Sequence, residues 1–184
     1  MPLPKEVDYT IEDIYKLPEG NRAELIDGQI YYMAPPSYRH QELVFEISLI
    51  IGNYIKTKKG PCKVALAPLA VFLNKDNKNY VEPDISVICD KSKLTIHGCV
   101  GSPDWIIEIV SPSSRQMDYF TKLFKYQSAE VREYWIVDPL KNRITVYQFE
   151  TGTITEYSFS DSIKVGIYND LTIDFAEISE LLES

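Results

Sequence analysis

The chain of 184 residues is 45% apolar and 25% charged, which is ordinary for a globular protein and sufficient for one substantial core. A formal net charge of −8 argues against a broad, nonspecific grip on nucleic acid, although a local basic rim remains compatible with it. No apolar run approaches the roughly 18 residues of a membrane span, and the opening segment MPLPKEVDYT lacks the apolar region of a signal peptide. We therefore expect one cytoplasmic domain, residues 1–184, with no membrane partner.

The first predicted elements are a short helix and a hairpin. Thr10 and Asp13 have the spacing of a capping box, and LPEGN ends the helix that this box opens. RAELIDGQIYYM then predicts a β-hairpin around Asp27-Gly28, the dipeptide best suited to a two-residue primed turn. Glu24 lies beside this turn and, from the local pattern alone, is a surface strand residue.

A helical period runs from residue 38 to about 57, after the break APPS, and Ser37 can cap this helix. His40 falls near the centre of its apolar stripe, whereas Glu46 lies on the flank. Read alone, His40 is a core histidine whose ring nitrogens are satisfied by neighbours. The stripe itself consists of Leu43, Val44, Ile47, Ile50, Ile51, Tyr54 and Ile55.

Three strand patterns follow the helix. CKVALAPLAVFLN predicts a strand that Pro68 interrupts, so that it is bulged or lies at an edge. YVEPDISVICD predicts the next strand, and a polar loop, 91–103, leads to the third, DWIIEIVSPSS. In the third strand, Ile106, Glu108 and Val110 share one face, and burying the charge of Glu108 there is costly unless a partner meets it.

A carboxylate pair is the main candidate for a site. If the second and third strands form a meander, Asp84 and Glu108 converge on one face of the sheet, and such oxygen ligands suit a divalent cation. The alternative is that Asp84 ends a turn and Glu108 forms a salt bridge with a nearby Lys or Arg. Cys62, Cys89 and Cys99 form no CxxC pair, so neither a disulfide framework nor a cysteine zinc site is predicted. With only two histidines, any metal would be held by oxygen, which favours Mg²⁺ or Mn²⁺.

The remaining pattern predicts a helix over 115–129, a strand REYWIVDP, a second hairpin around Thr151-Gly152 and a helix over about 175–183. Short links between strand, helix and strand imply a parallel pair. We therefore expect an α/β fold in which residues 38–138 form a mixed-sheet core, with a β-hairpin added on each side. On the 115–129 helix, Asp118, Lys122 and Tyr126 share a face at intervals of four, which by itself is typical of an exposed Asp–Lys pair.

The ordered set of motifs resembles the Uma-two family of restriction-endonuclease-like proteins within the PD-(D/E)xK superfamily. The segments that carry the resemblance are ELIDG (24–28), APPSYRHQ (34–41), EPD (82–84), IIEIVSPSS, DYFTKLFKY and EYWIVDP. Val110 stands where the nuclease motif needs a lysine. The resemblance implies that this lysine has moved to the following helix, as Lys122 in an arrangement of Asp118, Lys122 and Tyr126.

What the resemblance implies is a nuclease fold and a Mg²⁺- or Mn²⁺-dependent endonuclease that cleaves DNA. Asp84 and Glu108 would bind the metal, and Lys122 would be catalytic. Further members of the site would be Glu24, His40 and, by analogy with nucleases that use a helix carboxylate, Glu46.

Two other interpretations remain open at this stage. One is a catalytically inactive nuclease-fold module that binds a protein or nucleic-acid partner. The other is a homodimer built by the terminal hairpins, which is compatible with both the nuclease and the inactive module.

Overall fold

The computed structural model describes residues 8–74 and 76–183, so that most of the opening segment MPLPKEVDYT lies outside it. Its elements in chain order are α1 Ile11–Tyr15, β1 Ala23–Ile26, β2 Gln29–Tyr32, α2 Tyr38–Lys58, β3 Lys63–Leu66, β4 Val71–Phe72, β5 Ile85–Ile88, β6 Leu94–Thr95, β7 Gly98–Val100, β8 Trp105–Ile109, α3 Lys122–Ser128, β9 Glu133–Asp138, β10 Arg143–Gln148, β11 Thr153–Tyr157, β12 Ser162–Lys164, β13 Thr172–Asp174 and α4 Phe175–Glu183. No helix in these ranges is long and apolar enough to cross a membrane.

A six-stranded mixed sheet, in the order β11-β10-β9-β8-β5-β3, forms the centre of the fold. Strands β8 and β9 run parallel and are joined through α3, whereas the other pairs in this sheet are antiparallel. The predicted mixed α/β fold is thus observed. The two hairpins differ, however, because β10–β11 continues the central sheet while β1–β2 forms a separate two-stranded sheet.

Helices cover both faces of the central sheet. The apolar stripe of α2, with Leu43, Ile47 and Ile51, packs in one cluster with Trp105 and Ile107 of β8. The opposite face of β8, with Ile106, packs in a second cluster that includes Tyr126 of α3. Glu108 lies on this second face, as the alternation along the strand predicts.

The segment 62–103 is more broken than the sequence predicts. A cis peptide bond, Ala67-Pro68, separates β3 in the central sheet from β4, which pairs with β7 in a three-stranded sheet. The interruption at Pro68 and the edge position of β3 are thus as predicted, but the segment forms two strands in different sheets rather than one. Only residues 85–88 of YVEPDISVICD form β5, and the loop 91–103 contains a short 3₁₀ helix and strands β6 and β7.

The helix after β8 buries its charged face. Residues Met117–Thr121 are π-helical and lead into α3. Asp118, Lys122 and Tyr126 are at most 4% exposed, whereas Phe120 and Phe124 are 62% and 67% exposed. The helical spacing is as predicted, but an exposed Asp–Lys pair is not what forms.

The prediction of no disulfide is wrong for one pair of cysteines. Cys62 precedes β3 and Cys89 follows β5, and the antiparallel register that pairs Lys63 with Ile88 brings the two cysteines together in a disulfide. Such a cross-strand pairing leaves no CxxC spacing in the sequence. Cys99 is a buried free thiol, and burial raises its pKa to about 11.

Candidate active site

Two carboxylates meet where β5 begins beside β8. The backbone N–H of Asp84 donates to Glu108 Oε2 at 3.3 Å, and the N–H of Ile109 donates to Asp84 Oδ2 at 2.8 Å. This is the predicted meander, because β5 and β8 pair antiparallel with Ile85 opposite Ile107. Pro83 ends the preceding segment and sets Asp84 just before the first residue of the strand.

Lys122 lies inside the protein against this pair. Its Nζ is 2.9 Å from Glu108 Oε1, 2.9 Å from Glu24 Oε2 and 3.8 Å from Asp118 Oδ1. The ammonium group therefore neutralises part of a buried cluster of three carboxylates, one from β1, one from β8 and one from its own helix. A buried charge of this kind persists only where its partners compensate for desolvation.

The N-terminal hairpin supplies Glu24. Asp27 and Gly28 form the turn with φ values of 50° and 74°, as a primed turn requires. The hairpin docks through a backbone bridge between Leu25 and Tyr80, and Glu24 Oε1 accepts from the N–H of Glu82 at 2.9 Å. One carboxylate oxygen of Glu24 is thus held by the backbone of Glu82, two residues before Asp84, and the other binds Lys122.

Glu82 supports this docking and is a residue that the sequence did not identify as important. It is buried, its carboxylate accepts from the Arg22 guanidinium at 2.9 Å, and it accepts from the Tyr80 hydroxyl at 2.7 Å. The sequence around Glu82 does not show this role, because its cationic partner, Arg22, lies 60 residues earlier in the chain.

Tyr126 fixes the orientation of Glu108. Its hydroxyl donates to Glu108 Oε1 at 2.6 Å, so that this oxygen accepts from both Tyr126 and Lys122. Burial and the neighbouring carboxylate of Glu108 both raise the pKa of Tyr126 well above its usual value, which keeps the hydroxyl protonated and able to donate. Tyr134 in β9 holds the same helix by donating to the carbonyl oxygen of Asp118 at 3.0 Å.

The cluster contains more negative than positive charge. Burial raises the pKa of Glu108 well above its usual value, and the charges of Asp84 and Asp118 add to this effect although Lys122 opposes it. Burial likewise raises the pKa of Asp118 to about 6. Burial alone would lower the pKa of Lys122, but Glu108, Glu24 and Asp118 outweigh it and raise that pKa well above the usual value. Lys122 is therefore charged, and its single positive charge is shared among the three neighbouring carboxylates.

His40 lies on the other side of Asp84. Its Nε2 is 3.1 Å from Asp84 Oδ2, and Ser37 caps its helix by accepting from the His40 N–H at 3.2 Å. Burial would lower the pKa of His40, but the hydrogen bond and charge of Asp84 raise it overall. His40 is thus neither isolated in the core nor solvated, and it contacts a residue of the carboxylate pair directly.

Glu46 is the one predicted site member that the fold places elsewhere. It lines a separate groove between α2 and α4, together with Phe45, Leu181 and Leu182. Glu46 follows His40 by six residues, which correspond to about 600° of rotation along an α-helix. Its side chain therefore points about 120° away from that of His40 around the helix axis. Glu46 therefore belongs to no part of the carboxylate cluster.

The cluster opens to solvent through a cavity of about 1040 Å³. Its lining includes Glu24, His40, Asp84, Glu108, Asp118 and Lys122. The walls are formed by β2 with the segment 33–37, by the segment 110–114 and by Pro139 and Leu140. A large cavity whose lining holds convergent charged groups with raised pKa values is the usual form of an active site.

The donor groups fit a hard divalent cation. Asp84 and Glu108 offer neighbouring carboxylate oxygens at the cavity, and the buried Asp118 Oδ1 has no hydrogen-bond partner in residues 8–74 and 76–183. The same residues contain no group of three or more His, Cys, Asp or Glu side chains that could hold a metal ion. Two neighbouring carboxylates are compatible only with an ion that takes one or two protein ligands and keeps several waters, as Mg²⁺ does.

The chain is similar to known proteins over most of its length. A model of the Uma2 family, described as "Putative restriction endonuclease", matches residues 11–174. The uncharacterized protein slr1290 of Synechocystis sp. (strain ATCC 27184 / PCC 6803 / Kazusa) is 26% identical over 151 residues, covering 80% of this chain and 78% of that protein. The uncharacterized protein sll1609 of the same organism is 25% identical over 130 residues, covering 69% of this chain and 72% of that protein.

A solved structure shares the fold. The crystal structure of a "putative nuclease belonging to DUF820" from Anabaena variabilis ATCC 29413 superposes with a TM-score of 0.77 at 21% sequence identity. The likeness covers 94% of this chain and 98% of that one. It confirms the predicted fold class.

Proposed function

The chain belongs to the Uma2 family of restriction-endonuclease-like proteins, and from this premise we propose that it is a metal-dependent endonuclease that hydrolyses phosphodiester bonds in DNA. The observation that carries the proposal is the position of Lys122, whose Nζ is 2.9 Å from Glu108 on the lining of an open cavity. Replacing a buried ion pair by apolar residues is often neutral or stabilising, so its presence in a cavity favours a role in chemistry.

Asp84 and Glu108 are the residues that would hold Mg²⁺ or Mn²⁺. When bound, such an ion stabilises negative charge on a phosphate and lowers the pKa of a coordinated water. Tyr126 and His40 keep the two carboxylates in place, since Tyr126 donates to Glu108 Oε1 and His40 contacts Asp84 Oδ2.

Lys122 has the charge and the rigidity of a group that stabilises a transition state. It is held by Glu24 and Glu108 from two different strands, so that its ammonium needs no reorganisation when charge develops on a phosphate oxygen. Glu24 is thereby a positioning residue, and it also offsets the lysine charge while no substrate is present.

Cleavage of circular DNA tests the proposal, because a circle has no ends and reports endonuclease activity alone. Purified protein with Mn²⁺ should cleave circular single-stranded and supercoiled double-stranded DNA. Glu108→Gln and Lys122→Met should each lower the rate by about 100-fold or more. Glu46→Gln is the matched control, since Glu46 lies on a helix that also contributes to the site but outside the cavity.

Equal cleavage by wild type and Glu108→Gln would overturn the assignment of Glu108. A loss of activity in Glu46→Gln that matches the loss in Lys122→Met would show that the effects are not specific to the cavity. Chelation of divalent ions with EDTA should abolish cleavage, and activity that persists in EDTA contradicts the metal requirement.

A homodimer, which would bring two such sites together, stays a prediction. Size-exclusion chromatography with light scattering decides it: a mass twice that of the 21.2-kDa chain supports the dimer, and a mass equal to it contradicts the dimer.

A further inference from the structure

Tyrosines of the N-terminal hairpin stand beside the carboxylate cluster. In the hairpin register Tyr31 lies directly opposite Glu24, and residues opposite each other in an antiparallel pair point to the same face of the ribbon. Because Glu24 binds Lys122, Tyr31 projects on the site side of the hairpin. Both Tyr31 and its neighbour Tyr32 line the cavity.

This wall of the cavity is accessible to solvent. Tyr31 and Tyr32 are 36% and 67% exposed, which is high for large aromatic side chains in a folded domain. Pro35 and Pro36 continue the same wall and limit its backbone freedom. The cavity therefore combines a charged inner surface with an aromatic rim whose rings are open to solvent.

Cations available to a phosphate backbone are few at this cavity. Four basic residues line it, namely Arg22, Arg39, His40 and Lys122. Arg22 is bound by Glu82, and Lys122 is bound by Glu24 and Glu108. His40 contacts Asp84. Arg39 alone of these four has no carboxylate partner among the described residues, and its contact is a 3.4 Å hydrogen bond to the carbonyl oxygen of Leu182.

Double-helical DNA is bound mainly through its phosphates, and about 6–10 such contacts are common in duplex-binding proteins. A cavity with one unpaired arginine, in a chain of net charge −8, provides little of that attraction. Single strands are bound differently, since their bases are exposed and stack on aromatic side chains without regard to sequence. The exposed tyrosines match this second mode.

We propose that the cavity takes unpaired nucleotides of single-stranded DNA, with a base stacked on Tyr31 and the adjoining phosphate bound through the divalent cation that Asp84 and Glu108 would hold. This inference rests on the proposed function and adds the substrate class to it. The cavity volume of about 1040 Å³ is just above the range of about 300–1,000 Å³ that is usual for small-molecule pockets, so the cavity has room for a nucleotide.

Binding measured without cleavage tests the inference. Fluorescence anisotropy of a labelled oligothymidine single strand and of a mixed-sequence duplex of equal length is recorded in Ca²⁺, with gels to confirm that both remain intact. The single strand should bind at least tenfold more tightly than the duplex. Tyr31→Ala should weaken binding of the single strand by about 5- to 150-fold, whereas Tyr31→Phe, which keeps the ring, should stay within about twofold of wild type.

Tyr15→Ala is the control for loss of an exposed tyrosine, because Tyr15 is 63% exposed and does not line the cavity. It should leave binding unchanged, and the thermal unfolding of all variants is recorded so that misfolding is recognised. Equal or tighter binding of the duplex, no binding of either form, or an equal effect of Tyr31→Ala and Tyr15→Ala would each overturn the inference.

The two proposals fail in different ways. If duplex DNA is cleaved in a Glu108-dependent manner but Tyr31 is irrelevant to binding, only the substrate class is wrong. If Tyr31 governs binding of single strands but Glu108→Gln cleaves like wild type, the catalytic assignment is wrong and the binding mode stands.

Discussion

Replacing Lys122 by methionine is expected to lower the free energy of unfolding of the metal-free protein by about 3–5 kcal/mol at neutral pH. Methionine retains much of the length of the side chain but has no charge. The change therefore leaves Glu24 and Glu108, both buried, without the cation that lies 2.9 Å from each.

The size of this loss follows from the geometry. Each contact at 2.9 Å carries a gross attraction of about 6 kcal/mol at an effective dielectric constant of about 20, and desolvation of the ions offsets most of it. The variant loses more than the small net contribution of the ion pairs, because it leaves two buried carboxylates without compensation for their desolvation. The loss should shrink at acidic pH, because uncompensated acids then take up protons.

Urea unfolding in EDTA, followed by the fluorescence of the fully buried Trp105 and Trp135, measures the effect. Lys125→Met is the matched control on the same helix: Lys125 pairs with Asp27, whose side chain is 65% exposed, so this variant should lose less than about 1 kcal/mol. In the double variant Lys122→Met with Glu108→Gln, the loss should be smaller than in Lys122→Met alone, since one uncompensated charge is gone.

A loss below about 1 kcal/mol for Lys122→Met, equal to that of Lys125→Met, would refute the reasoning. It would mean that Lys122 is solvated and that the spacing of Asp118 and Lys122 reflects only an exposed helical pair. A double variant that is more damaged than Lys122→Met would refute the assignment of Glu108 as its partner.

Two further changes probe the same cluster. Tyr126→Phe removes the 2.6 Å hydrogen bond to Glu108 and should cost about 1–3 kcal/mol in urea unfolding; an unchanged midpoint would show that this bond is not formed. Because the pKa of Asp118 is raised from 3.8 to about 6, the native state holds a proton that the unfolded state releases, so stability is lost as pH rises from about 4 through 6. In Asp118→Asn, the free energy of unfolding should fall by up to about 3 kcal/mol less over that pH range than in wild type. An identical pH dependence of stability in both proteins would contradict the raised pKa of Asp118.

Local pattern was enough to predict that Asp84 and Glu108 lie close together on neighbouring strands. It left open a salt bridge of Glu108 with a lysine, and the structure shows that contact with Lys122. The alternation around Glu108 fixed its face in β8, and Pro83 with the following strand placed Asp84 beside it. The hairpin register was also available from the sequence, because a two-residue turn at Asp27-Gly28 necessarily pairs Glu24 with Tyr31. Tyr31 was missed because nothing local shows on which side the ribbon docks.

Two features of the site depend on contacts between distant parts of the chain and could not be predicted from the local sequence pattern. The contact between Glu24 and Lys122 depends on the docking of the hairpin through Leu25 and Tyr80. Hydrophobicity alone favours burying Phe120 and Phe124, yet that face is exposed because the opposite face carries charged groups that pair with residues of β1 and β8.

A calorimetric titration with Mn²⁺ tests the carboxylate pair most directly, since it measures the cation site without requiring a substrate. Wild-type protein should bind Mn²⁺ with a dissociation constant below about 1 mM, and Asp84→Asn and Glu108→Gln should each weaken this binding by at least tenfold while Glu46→Gln leaves it unchanged. Absence of binding by wild type at millimolar Mn²⁺, or equal binding by wild type and both site variants, would contradict a metal site at Asp84 and Glu108.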